Sequence, residues 1–207
     1  MEKRNLVQDT TLQLKQYIKR ENLSPGVKLP AEKQLAEKFG VGRSTLREAV
    51  KILQYGDILE VRQGAGTFVK QREVTDGTTS LSEAREAIET AAGQLACQNR
   101  TEQDLELLNQ ALFKRNRLLE QGKFSEYIQA DLAFHQLIVA CSKNPFLIRW
   151  YQEIFQELKL LLSGLVIDSS EYLDNTQQHQ LMFDGIVNRD PELVVAAIIK
   201  NSQEKSS

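Results

Sequence analysis

Asp131 and His135 stand four residues apart in the run DLAFH, so on a helix both side chains leave from one face. That is the spacing by which a helix offers two ligands to one metal ion. His179, from a later segment, is the only other histidine of the chain. Mixed nitrogen and oxygen donors of this kind admit zinc, nickel or manganese. A pair of core histidines satisfied by their neighbours is the plainer alternative. A second group is Arg43, Ser44, Thr45 and Arg47, crowded into five positions at the start of an apolar-periodic run. Arginine can fork onto guanine N7 and O6 in a major groove, while hydroxyls and the free N–H groups of a first helical turn can hold phosphates. The alternative there is a set of solvated helix charges.

The elements that must position the second group lie between residues 29 and 69. Leu35, Ala36 and Phe39 predict one face of a short helix that Gly40 ends, and Leu46, Ala49, Val50 and Leu53 predict a second helix over about 44–55. After Gly56 the period changes to two, through Ile58, Leu59 and Val61 and again through Thr67, Phe68 and Val69. This predicts a β-hairpin with Gly64 and Gly66 at a tip that can approach a duplex closely. Upstream, Leu6, Leu14, Tyr17 and Ile18 allow an amphipathic helix packed behind the second helix. Lys28-Leu29 reads as a short extended piece that can pair with the hairpin.

Charge divides the chain in the same place. The net charge is only -2, but residues 1–72 carry +6 and residues 73–207 carry -8. A basic front end on an acidic remainder is expected when one domain alone must meet phosphates, and it counts against an architectural protein, which would need basic charge throughout. With 207 residues and 41% hydrophobic content the chain can bury one large or two modest cores. No apolar run is long enough for a membrane span, the first eight residues lack a signal-peptide pattern, and Cys97 and Cys141 stand isolated in apolar helical patterns. Reduced buried thiols and a cytoplasmic location are the expectation.

Residues 71–80, QREVTDGTTS, lose apolar periodicity and read as a linker between a domain at 1–70 and one at 81–207. The second domain is predicted as an all-α bundle of about six helices, near 81–98, 102–121, 124–142, 145–167, 174–188 and 191–204. The breaks have local causes. Thr101 with Asp104, Asn144-Pro145 and Asp190-Pro191 make helix starts, and Gly122 makes a stop. The fold class is therefore mainly α, a winged helix-turn-helix followed by a helical bundle.

The stretch LPAEKQLAEKFGVGRSTLREAV through LEVRQGAGTFV resembles the winged helix-turn-helix of the GntR family of bacterial transcription regulators. The resemblance implies base contacts from Arg43 and Arg47 and Gly66 at the wing tip. Lys33 stands where an arginine is usual, and as a point charge it suits phosphate better than a base edge. Ala31 stands where a capping serine is common, so the helix start is expected to rely on Pro30.

The bundle is similar to the FCD domain of the FadR subfamily, through Glu83-Ala-Arg85-Glu-Ala-Ile-Glu89, Asp131-Leu-Ala-Phe134-His135 and His179 to Asp190. That likeness implies metal ligands at Asp131, His135 and His179, with a fourth position on Asn201, where the family has histidine. Three states stay open: a metal held by the first three with water, Asn201 or effector completing the shell; a weakly held metal; or none, with Asn201 hydrogen-bonding effector or histidines. A small carboxylate effector would suit an open shell, with Arg85 pairing to it; a salt bridge from Arg85 to Glu89 is the alternative. The family further implies a homodimer reading a palindromic double-stranded DNA operator with GT and AC cores, most often as a repressor. Leu108, Leu112, Phe146 and Trp150 are candidates for the dimer interface. A metal-dependent hydrolase is the contrasting reading, as are an activator and an architectural protein; the sequence has no nucleophile elbow or phosphate loop to support an enzyme.

Overall fold

The computed structural model describes residues 2–70, 78–160 and 175–203. The chain divides into two compact units. The first holds the described residues within Met1–Thr75 and Lys159–Tyr172 together with Glu120–Glu126; the second holds those within Asp76–Leu119, Tyr127–Leu158 and Leu173–Ser207.

In the first unit, α1 (Glu2–Arg20) packs against α3 (Arg43–Tyr55), and α2 (Glu32–Phe39) packs against α3 as the first helix of the helix-turn-helix. Leu35 and Ala36 are buried on α2, and Leu46, Ala49, Val50 and Leu53 on α3. Gly40 ends α2 in the left-handed region at φ 67°, where its N–H and that of Val41 return to carbonyls of the last turn. The start of α2 differs from expectation. Pro30 precedes the N-cap Ala31 and is not the first helical residue; the Gln34 side chain accepts from the Ala31 N–H at 3.1 Å, which is the returning half of a capping box.

The wing is an antiparallel pair, β1 (Leu59–Arg62) with β2 (Gly66–Val69), in the register Leu59 to Val69 and Arg62 to Gly66. Lys28 bridges to Phe68, and the Leu29 N–H donates to the Thr67 carbonyl at 2.8 Å, so the expected third extended piece is present.

The second unit contains α4 (Thr78–Asn99), α5 (Glu102–Glu120), most of α6 (Phe124–Cys141), α7 (Pro145–Glu153), a short α8 (155–158 here, continuing to 160), α9 (Thr176–Asn188) and α10 (Pro191–Gln203). Helix α10 packs on α4 and α9, with Phe134, Ile138, Met182, Ile186, Val194 and Ile198 in the core between elements. Caps fall where the sequence placed them. The Asp104 N–H donates to Thr101 Oγ1 and the Thr101 N–H to Asp104 Oδ2; Asn144 Oδ1 accepts from Phe146 and Leu147; Asp190 Oδ1 accepts from Leu193.

Three expectations are corrected. Residues 78–80, read as linker, belong to the first turn of α4, and 71–77 lie outside the described residues. The single helix read over 145–167 is broken at Ile154, with no proline or glycine to mark the break, and 161–167 lie outside the described residues. Leu108 and Leu112 are buried inside their own unit, leaving Phe146 and Trp150 as the exposed members of the suggested interface set.

Gly185 shows how tightly α9 meets α10. A Cβ there would lie 2.6 Å from a Val194 methyl and 3.1 Å from both the Asp190 carbonyl oxygen and the Val194 nitrogen. Backbone atoms cannot swing away as a flexible side chain can. Gly185→Ala should therefore lower unfolding stability by about 1 to 3 kcal/mol, as overpacking does, measured by chemical denaturation; unchanged stability would mean that α10 shifts freely.

Candidate functional site

The head presents the N-terminus of α3 without a side-chain cap, because its N-cap is Gly42, so the first-turn N–H groups are not covered by a capping side chain. Arg43, Ser44 and Arg47 are exposed there. Thr45 is not. It shares the inward face with Ala49 and Ile52 and is only 8% exposed, so of the two hydroxyls read for phosphate Ser44 is the one the helix presents openly. Arg47 donates from Nε and Nη2 to one oxygen of Glu32, at 3.3 and 3.1 Å, which fixes its reach along α3. Lys33 is exposed on α2, 4.0 Å from Glu37.

Gly64 and Gly66 have φ of 73° and 117° at the wing tip. A Cβ on Gly66 would meet Lys28 Cε at 2.7 Å, so the absent side chain lets the Lys28 amine lie alongside the tip. Sequence reading missed Lys28, Glu32 and Arg62, the last stacked 4.4 Å over Phe68. Only Lys28 carried a signal, as the one basic residue in the extended piece beside the wing.

The second unit brings Asp131 and His135 of α6 together with His179 of α9, all at most 1% exposed. His179 Nε2 lies 3.0 Å from Asp131 Oδ1, and the two Nε2 atoms are 3.1 Å apart. The far side of each ring is tied back. His135 Nδ1 lies 3.0 Å from Glu89 Oε2 on α4, and His179 Nδ1 lies 2.8 Å from the Asn175 carbonyl, which can only accept. Protons placed on both Nδ1 atoms leave both Nε2 lone pairs facing the Asp131 carboxylate.

Electrostatics keep the rings in that state. Burial, followed by the Arg115 guanidinium, lowers His179 to about 3, and burial lowers His135 against the pull of Glu89. Both imidazoles are therefore neutral at neutral pH, as metal ligation requires. Burial alone would raise the Glu89 carboxyl, but Arg85 and His135 outweigh it and hold Glu89 well below the usual carboxylate range. The donor set, its tautomers and its outer partners thus fit a divalent metal.

Around these ligands lies a shell that sequence reading only partly foresaw. Arg85 pairs with Glu89, Nε to Oε1 at 2.7 Å, as the alternative reading held, yet among the described residues its Nη2 has no hydrogen-bond partner although Arg85 is only 6% exposed. The Tyr151 hydroxyl donates to the same Glu89 oxygen at 2.7 Å. Arg115 was missed. It donates from Nε to Asp131 Oδ1 at 2.8 Å and from Nη2 to the Tyr127 hydroxyl at 2.9 Å and to Asn175 Oδ1. The signal was present: Leu108, Leu112, Arg115 and Leu119 recur at helical spacing, so an arginine stands on an apolar face. Asn201 is buried on α10, and its Oδ1 accepts from Asn175 Nδ2 at 2.8 Å.

A winged helix-turn-helix unit in one chain with a helical unit that buries a cluster of Asp131, His135 and His179 is the make-up of a two-unit DNA-binding regulator. Residues 6–69 match the bacterial regulatory proteins of the gntR family, and residues 80–201 match the FCD domain. The chain belongs to the GntR family of regulators and carries its FCD domain. It is 35% identical to the HTH-type transcriptional regulator LutR of Bacillus subtilis, over 63% of this chain and 65% of that protein. The match thus spans just under two thirds of LutR's length. It is 25% identical to the galactonate operon transcriptional repressor of Escherichia coli, over 84% of each. Among solved structures it is similar to Streptococcus agalactiae GntR, with 26% identity, a TM-score of 0.53, and coverage of 97% of this chain and 100% of that one. These families are regulators, which sets aside the hydrolase reading. No helix among the described residues is long and apolar enough to cross a membrane.

Because His179 is depressed from 6.5 to about 3, the unfolded chain takes up the proton first as pH falls. Its contribution is fully present above pH 6.5 and is lost progressively down to about 3. Thermal unfolding in chelator should show Tm falling through that window, with a shallower fall in His179→Gln; an equal slope in the variant would mean that the ring is protonated in the fold.

Proposed function

We propose that this chain is a metabolite-responsive transcription regulator, a repressor by default, that binds a palindromic double-stranded DNA operator as a homodimer. The observation that carries the DNA reading is the uncapped N-terminus of α3 with Arg43, Ser44 and Arg47 exposed on it and a glycine-tipped wing in the same unit. Arg43 and Arg47 would read guanine, Lys33 and Ser44 would hold phosphate, and Gly64 and Gly66 would bring the wing backbone close to the duplex. One such helix reads too few base pairs for specificity, which favours two copies on a two-fold axis. Exposed Phe146 and Trp150 are apolar residues that a second copy could cover. The similarity to a galactonate operon repressor supports the sign of regulation. Such a regulator works in the cytoplasm, where bacterial DNA lies.

The pocket would hold zinc, nickel or manganese on Asp131, His135 and His179. When bound, the metal supplies a Lewis-acidic position for a hard oxygen donor. Asp131 is the one carboxylate among these ligands and is already paired with Arg115, so a dication there would leave the pocket positive and suit a small carboxylate effector. The Arg85 Nη2, buried and without a partner among the described residues, is a donor such a carboxylate could take. Effector would change DNA affinity to the extent that it binds the DNA-competent and incompetent dimers differently.

Binding to an operator and to its single-base variants across a salt series tests the assignment. Arg43→Ala should cost ~1 to 3 kcal/mol and relax preference at one position of each half-site. Lys33→Ala should weaken all sequences evenly and lower the salt slope. An even loss across sequences for Arg43→Ala would remove it from base reading.

A further inference from the structure

The resemblance to metal-binding FCD domains puts Asn201 in the place of a fourth ligand, yet the hydrogen bonds around it run elsewhere. A guanidinium can only donate, so Asn175 must present its Oδ1 to Arg115 Nη2, and its Nδ2 is then left to donate. That N–H reaches Asn201 Oδ1 at 2.8 Å, so the one Asn201 atom able to ligate is directed at Asn175. At the other end, Arg115 Nε donates to Asp131 Oδ1 at 2.8 Å, and Tyr127 donates to the same oxygen at 3.2 Å. Arg115 Nη1 donates to Asn116 Oδ1 at 2.8 Å, which anchors the guanidinium on α5. The main chain of Asn175 joins the same system, because its carbonyl accepts from His179 Nδ1 and so aims Nε2 at the ligand cluster. Every member but Asn116 is buried: Arg115 is 0% exposed, Asp131 1%, Asn201 2%, Asn175 and Tyr127 3%.

We propose that Arg115 and Asn175 are positioning residues that orient the Asp131 and His179 ligands, and that Asn201 is the far end of this relay rather than the fourth metal ligand. The inference rests on the metal reading of the pocket given above. Its content is mechanical. Two of the three ligands are set by groups outside the coordination shell, and the relay ties α10 to α6 through α5 and the residue before α9. A shell of three protein ligands keeps a position open for an oxygen donor, whereas a ligating Asn201 would close it.

The test uses the full untagged chain, stripped by chelator and reloaded with zinc or cobalt(II). Zinc affinity is read by chelator competition, and the cobalt electronic spectrum reports the identity and number of ligands. The parent should take about one zinc per chain, as a single three-ligand site requires. Asn201→Ala should keep that stoichiometry and the parent cobalt spectrum, because no coordinating atom is lost. Arg115→Met should weaken zinc binding by about tenfold or more, the usual effect of removing an outer partner. Arg115→Lys keeps the buried charge and with it the fold, but one ammonium on a flexible stem cannot reproduce the fork to Asp131 and Asn175, so it should weaken binding too. A changed cobalt spectrum or lost stoichiometry in Asn201→Ala would make Asn201 a ligand and overturn the proposal alone. Parent-like zinc affinity in Arg115→Lys would overturn the positioning role. A parent that takes up no zinc or cobalt would overturn the metal reading and the proposal with it.

Discussion

A charge moved into a protein interior must meet its opposite within hydrogen-bonding distance or be neutralised, and the second unit is built around that constraint. Arg85 with Glu89 and Arg115 with Asp131 are two such pairs, each nearly inaccessible to solvent. The Arg115 pair joins α5 to α6, and Glu89 links α4 to α6 through His135. Each pair also touches the Asp131, His135 and His179 cluster, since Glu89 lies against Nδ1 of His135, and Arg115 bonds Asp131 where it lies beside His179. Buried ion pairs are weak sources of stability, so these charges are better understood through the Asp131, His135 and His179 cluster they contact.

The head follows a different logic, with a core of aliphatic residues and a few buried threonines and its charges outside. Leu46, Ala49, Val50 and Leu53 hold α3 against the rest of the unit, while Arg43, Ser44 and Arg47 face solvent at the end where the helix N–H groups are uncapped. Glu32 reaches across from α2 to pair with Arg47 at the surface. The two charge patterns explain why a chain of net charge -2 can bind nucleic acid: basic residues are gathered in one unit and the acidic excess in the other.

Much of this was legible in the sequence because it is local. Helix caps at Thr101, Asn144 and Asp190, the turn at Gly40 and the alternation of the wing all depend on residues a few positions apart. Asp131 and His135 were legible for the same reason, and His179 came from the resemblance to the FCD pattern. What escaped was long-range. Arg115 meets Asn175 across 60 residues and Tyr151 meets Glu89 across 62, and no spacing rule reports such partners. Thr45 was grouped with its exposed neighbours Arg43 and Ser44, although helical periodicity places it with Ala49 and Ile52 on the buried face. The break at Ile154 has no residue type to announce it.

The central claim is that the basic unit reads the sequence of duplex DNA, and the most direct measurement is selection of bound duplexes from a random pool by the full chain at near-physiological salt. The account predicts enrichment of an inverted repeat whose half-sites share fixed G·C positions at one constant spacing, as two copies on a two-fold axis require. Recovery of duplexes with no common sequence would contradict it, leaving the basic charge of this unit as non-specific attraction for phosphate.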